Sequence, residues 1–94
     1  MVEGTATLHA LVYGHVQGVY FRAYVLEQAQ SLGLNGHVRN VRSPAGVEVE
    51  AEGDKVGLEE LLRRLHKGPP GARVERVEVE WRRYGGVFTG FSIG

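Results

Sequence analysis

"ATLHALVYGHVQGVYFRAYVLEQAQSLG", Ala6 to Gly33, changes its hydrophobic period once, and the fold turns on that change. From Ala6 to Tyr13, Ala6, Leu8, Ala10 and Val12 fall on one face of a strict alternation. Such a pattern predicts a strand with one buried side. From Phe21 onward, Phe21, Val25, Ala29 and Leu32 take up the spacing of one helix face, and Gly33 is a natural stop. Between the two lies a short loop bracketed by Gly14 and Gly18. A strand therefore runs through a glycine-rich turn directly into a helix.

Working outward, "GHVRNV" is short and extended, and "SPAG" reads as a hairpin turn. "VEVEAEG" then alternates, with Val47, Val49 and Ala51 on one face and Glu48, Glu50 and Glu52 on the other. Asp54 is placed to cap a second helix, "DKVGLEELLRRLHKG", whose stripe is Leu58, Leu61, Leu62 and Leu65 and whose end is Gly68 with Pro69. "ARVERVEVEW" predicts another strand with Val77, Val79 and Trp81 inward. Val74 is out of phase with them, which predicts a bulge or bend near Glu75. "YGGVFTGFSIG" supplies a last short strand carrying Phe91 and Ile93. The order βαββαβ, with a short fifth strand, predicts an α+β, ferredoxin-like sandwich: an antiparallel sheet with two helices on one face. That arrangement hosts many unrelated functions and does not choose among them.

With 94 residues, no linker and no internal repeat, residues 1–94 are expected to form a single domain. Hydrophobic residues make up 43% and charged residues 23%, and the formal net charge is zero. No broad field then favours a nucleic-acid or membrane partner. The absence of cysteine excludes disulfides, thiolate metal sites and a cysteine nucleophile, and fits a reducing cytoplasm. No apolar run is long enough to span a bilayer, and Met1 to Ala6 does not resemble a leader. A cytoplasmic monomer is the expectation.

Two residues are out of place. Arg22 stands at the start of a helix, where unpaired N–H groups already carry partial positive charge. A solvent-facing or carboxylate-paired arginine accounts for this as readily as a functional one, on position alone. The preceding loop shifts the balance. Glycines allow successive N–H groups to converge, and a loop of that kind opening a helix is a ready anion site. An anion there turns the misplaced guanidinium into a two-pronged clamp. The motif lacks the Gly-Lys-Ser/Thr ending of a nucleotide-binding loop, so a single phosphate is the better guest. Asn40 is the second oddity, because asparagine is depleted in strands. It is unremarkable if "RNVRSP" is loop; otherwise its amide can hold a water through one donor and one acceptor.

"GHVQGVYFR" (Gly14 to Arg22) followed by "GHVRN" (Gly36 to Asn40) resembles the two signatures of the acylphosphatase family. The likeness extends over "VEVEAEG", "GPPGARVERVEV" and the closing "FTGFSI". The resemblance implies hydrolysis of acyl phosphates to a carboxylate and inorganic phosphate, with no metal and no cofactor. It implies that Arg22 binds the phosphoryl group and that the main chain of Gly14, His15, Val16, Gln17, Gly18, Val19 and Tyr20 cradles its oxygens. It implies that Asn40 orients the attacking water. The chain departs from the family pattern at Tyr20, often glycine, at His37, usually aromatic, and in a turn after Asn40 that reads one residue longer.

Other chemistries find less support. His9, His15, His37 and His66 show no metal-ligand spacing, and Ser31, Ser43 and Ser92 have no nucleophile setting. Glu48, Glu50 and Glu52 read as the solvated face of a strand, or as partners for arginines on a neighbour. An RNA-binding module of the same topology would need paired exposed aromatics and a basic surface, which the strands lack. A phosphate-binding domain serving a partner enzyme is the remaining alternative.

Overall fold

The computed structural model describes residues 4–94. Residues 1–3, part of the N-terminal stretch read above, lie outside the described residues. The elements are β1 (Thr5–His15), α1 (Phe21–Ser31), β2 (Asn35–Arg42), β3 (Ala45–Asp54), α2 (Lys55–Lys67), β4 (Arg73–Arg82) and β5 (Phe91–Ile93). The strands form one sheet in the order β4-β1-β3-β2-β5.

The alternating residues account for this layering. Leu8, Ala10 and Val12 of β1, Val38 of β2, and Val47, Val49 and Ala51 of β3 are all buried. They meet Phe21, Val25 and Ala29 of α1 and Leu58, Leu61 and Leu65 of α2 in one core. Each such leucine contributes about 1.5–3 kcal/mol by leaving water. Leu32 and Leu62, at the edges of their stripes, are only partly buried. Asp54 occupies the N-cap position of α2 with extended backbone, but its side chain makes no capping hydrogen bond.

The predicted bulge is present. Tyr13 pairs with Arg76 and Gly14 with Val74, so Glu75 is left without an opposite residue. The extra residue lets Val74 and Val77, three positions apart, both pack against the core. Val79 and Trp81 depart from expectation. They pair with Ala10 and Leu8 and so share the helix-facing side, yet they remain 39% and 41% exposed. The reason is that β4 is an edge strand, flanked by β1 alone. The Lys55 ammonium lies over the Trp81 ring, 6.0 Å from its centroid.

Two further expectations are corrected. The sheet is mixed, since β5 runs parallel to β2, with Gly36 opposite Phe91 and Val38 opposite Ile93. And Glu52 is not solvated but 1% exposed. The two corrections share one cause. β4 and β5 lie at opposite edges, so the chain between them crosses the face of the sheet that carries no helices. Glu52 points to that face and accepts the N–H groups of Gly86 (2.9 Å) and Phe88 (2.7 Å) from the crossing segment. The Phe88 ring meets His37 edge-on at 5.4 Å, and Asn35 Oδ1 accepts the Gly90 N–H. Glu48 follows the second reading given above, pairing with Arg39 of the neighbouring β2 and with His9 of β1, whereas the arginine of Glu50, Arg82, lies on β4, one strand further across the sheet. Among the described residues, no helix is long and apolar enough to cross a membrane.

Candidate active site

β1 extends through Gly14 and His15, so the loop proper is shorter than expected, from Val16 to Tyr20. The sheet by itself requires Gly14. A Cβ there would overlap the main-chain oxygen of Arg73, next to the β4 bulge. Gly18 is different: nothing lies within 4 Å of its missing Cβ, but its φ of +76° is one that other residues rarely adopt.

The loop is fastened at both ends. Val16 is buried in the core and Val19 packs against it. Gln17 Nε2 donates to the carbonyls of Val41 and Gly46, both at 2.8 Å. Those two residues are direct partners across the β2–β3 hairpin. One side-chain amide thus bridges two paired strands and sets the loop beside the end of β2. The hairpin itself is tight, with Arg42 opposite Ala45 and only Ser43 and Pro44 between, so Gly46 lies in the strand.

The main-chain donors of this region are unused. The first hydrogen bond of α1 runs from the Tyr24 N–H to the Tyr20 carbonyl. Among the described residues, the N–H groups from Val16 to Ala23 have no main-chain acceptor. They comprise the loop together with the free first turn of a helix, the combination that favours an anion.

Beside these donors is a cavity of about 360 Å³. Gly18, Arg22 and Asn40 form its polar part. Val16 and Phe21, both buried, form apolar wall, and Tyr20, Ala23 and Ile93 complete the lining. Arg22 reaches it from the first turn of α1, and its Nη1 donates to the main-chain oxygen of Gly94 at 3.0 Å. Gly94 is held in turn by its N–H to the Val38 carbonyl, 2.8 Å. Asn40 is inside β2 rather than in a loop. It pairs with Val47, a core residue, so it sits on the helix-facing side of the sheet, where the strand runs out from under α1. It is exposed, and its amide makes no hydrogen bond with the described residues.

The structure therefore brings Arg22, Asn40, Gly18 and Tyr20 to one cavity, although they come from three elements of the sequence. Gly14 and His15 lie at the end of β1, and the side chains of Gln17 and Val19 fasten the loop. Ile93 and Gly94 were not anticipated. Their approach depends on the parallel pairing of β5 with β2, for which the sequence carries no local signal. Among the described residues, no group of three or more His, Cys, Asp or Glu side chains is placed to hold a metal ion.

Amides without a main-chain acceptor, a guanidinium and a carboxamide beside one cavity form an arrangement with which a small oxyanion is compatible. Comparison with known proteins gives the family. The acylphosphatase family model matches residues 8–93. The chain is 48% identical over 88 residues to an acylphosphatase of Pelotomaculum thermopropionicum, covering 94% of this chain and 95% of the relative. It is 49% identical over 88 residues to one of Anaeromyxobacter sp., covering 94% of each. A solved acylphosphatase from Coxiella burnetii superposes with a TM-score of 0.90 at 34% identity, covering 98% of this chain and 95% of that one. The chain belongs to the acylphosphatase family. It is a hydrolase of that class.

Proposed function

We propose that the cavity binds the phosphoryl group of an acyl phosphate and that water attacks phosphorus there, giving a carboxylate and inorganic phosphate. The new bond joins the water oxygen to phosphorus. The bond broken joins phosphorus to the bridging oxygen, whose electron pair leaves with the carboxylate. Arg22 and the N–H groups from Val16 onward hold the phosphoryl oxygens, and the free carboxamide of Asn40 holds and aims the water. The observation that carries this reading is the placement of Arg22 and Asn40 on one cavity beside a run of unpaired main-chain donors.

The chemistry suits so small a set of groups. The conjugate acid of the leaving carboxylate has a pKa of roughly 4, so departure needs no proton donor. What remains is to position the water and to neutralise charge on the phosphoryl oxygens, the main burden of phosphoryl transfer. A guanidinium and fixed amides supply that without a metal or cofactor. Every group invoked lies in one chain, so a monomer suffices.

The test is hydrolysis of benzoyl phosphate by EDTA-treated protein, beside an alkyl phosphate monoester. Benzoyl phosphate should be consumed and the monoester left nearly untouched, because an alkoxide leaving group needs a proton that this site does not provide. No acceleration of benzoyl phosphate hydrolysis over buffer would overturn the reading.

A further inference from the structure

We infer that Tyr20 selects for the acyl end of the substrate, favouring flat apolar acyl groups over small ones; the inference rests on the acyl-phosphate reading above. The cavity is divided by chemistry. Arg22, Asn40 and Gly18 supply its polar lining, and a phosphoryl group held by them leaves the rest of the lining to its acyl substituent. That remainder is apolar, and its solvent-exposed members are Tyr20, Ala23 and Ile93. Of these only Tyr20 is large and aromatic, and at 86% exposed it belongs to the rim rather than the floor.

The backbone supplies an independent reason to single it out. Tyr20 is the only non-glycine with positive φ among the described residues, at φ 60° and ψ 25°. It is also the N-cap of α1, a position that favours Ser, Thr, Asp or Asn, and it makes no capping bond. Its hydroxyl has no hydrogen-bond partner and its ring no stacking partner among the described residues. Glycine would fit this conformation without strain. The tyrosine thus carries a local cost in two respects, with no hydrogen bond or ring contact among the described residues in return. A ring face left open beside the anion cavity is matched by an apolar, preferably aromatic, acyl group, which it can meet by stacking or edge contact.

The test is the ratio of kcat/KM for benzoyl phosphate to kcat/KM for acetyl phosphate, measured for wild type, Tyr20→Gly and Tyr20→Phe. Both substrates use the same phosphoryl grip, so any general disturbance of the loop cancels in the ratio. Tyr20→Gly should lower the ratio by about three- to tenfold, chiefly through KM for benzoyl phosphate. Tyr20→Phe should restore it. Should the glycine loosen the loop, Tyr20→Asn, which also tolerates the left-handed conformation, should give the same fall. An unchanged ratio in both small variants overturns the assignment of Tyr20 and leaves the hydrolase reading standing. A wild-type protein inactive on both substrates overturns that reading, and the Tyr20 assignment with it.

Discussion

Arg22 Nη1 donates a 3.0 Å hydrogen bond to the main-chain oxygen of Gly94, 72 positions further along the chain. The contact gives the guanidinium a fixed posture at the cavity while leaving its other N–H groups available to an anion. Replacing Arg22 by alanine should lower kcat/KM by ~10²–10³, about 3–4 kcal/mol, the range for losing one preorganised oxyanion donor. Competitive inhibition by inorganic phosphate should vanish with it. Lysine should recover only part of the loss, since a point charge cannot make the planar two-pronged grip. Steady-state hydrolysis with phosphate as competitor reads both effects, and a normal rate in Arg22→Ala would remove this residue from the site.

Asn40 should behave differently. Its exposed carboxamide has no hydrogen-bond partner among the described residues, so truncation leaves no buried group there unsatisfied and the sheet should tolerate it. Asn40→Ala is expected to lose ~10²-fold or more in kcat through loss of water positioning. Phosphate inhibition should persist within about twofold. If inhibition and turnover fell together, Asn40 would be gripping the phosphoryl group instead of the nucleophile.

The contrast between these residues shows how much the sequence discloses. The period change at Ala6–Gly33 and the valines of β3 were legible because burial on one face of a strand or helix leaves a repeating trace. The bulge at Glu75 was legible for the same reason, as a break in that trace. Glu52 was not. Alternation correctly assigns it to the face away from the helices, but cannot say that a later segment will cover that face. The exposure of Val79 and Trp81 was hidden likewise, because it depends on which strand forms the edge. Within the site, Arg22 and Asn40 stood out as residues at odds with their local setting. Gln17 did not, because its carbonyl partners lie 24 and 29 residues away and leave no local imprint.

Glu52 should be a strong determinant of stability. Its two carboxylate oxygens hold two main-chain N–H groups of the segment that leads to β5 and hence to Gly94. Glu52→Ala is expected to cost ~3 kcal/mol, as charge-assisted hydrogen bonds at a buried site do, and to lower Tm by more than about 10 °C. Because the crossing also delivers Gly94 to Arg22, KM should rise even at temperatures where the variant is fully folded. Urea unfolding and kinetics at low temperature separate the two effects. A variant with unaltered Tm would show that the crossing segment is held by other contacts.

Glu48 links stability to pH. The hydrogen bond with His9 Nε2, at 2.8 Å, is the main influence holding its carboxyl below the ordinary value; burial opposes the shift, and Arg39 adds to it. A carboxyl whose value is lowered by folding stabilises the fold above its unfolded value and loses that contribution as pH falls through the folded one. The window therefore opens near about pH 4, the ordinary carboxylate range, and extends downward. Glu48→Gln should be less stable than wild type at pH 6, and the gap between their Tm values should narrow steadily below about pH 4. A gap of constant size across that range would mean that Glu48 contributes by packing and not by charge.

The two glycines that bracket the first signature should fail in different ways. A methyl group at Gly14 would overlap the Arg73 oxygen and come within 2.9 Å of the Glu75 nitrogen, both main chain of the neighbouring strand. Neither atom can move without unpairing β1 from β4, so Gly14→Ala should destabilise by roughly 3 kcal/mol or more. At Gly18 there is room, and the obstacle is only a φ of +76°, a cost of about 1–2 kcal/mol for an L side chain. If the loop relaxes to a more ordinary φ, the N–H groups around Gly18 are reoriented beside the cavity that it lines. Gly18→Ala should then remain folded, with a modest fall in Tm and a clear rise in the inhibition constant for phosphate. Thermal melts and phosphate inhibition, measured on the same two preparations, give a pair of opposite profiles if Gly14 serves the sheet and Gly18 serves the anion. Identical profiles would mean that the loop amides take no part in binding.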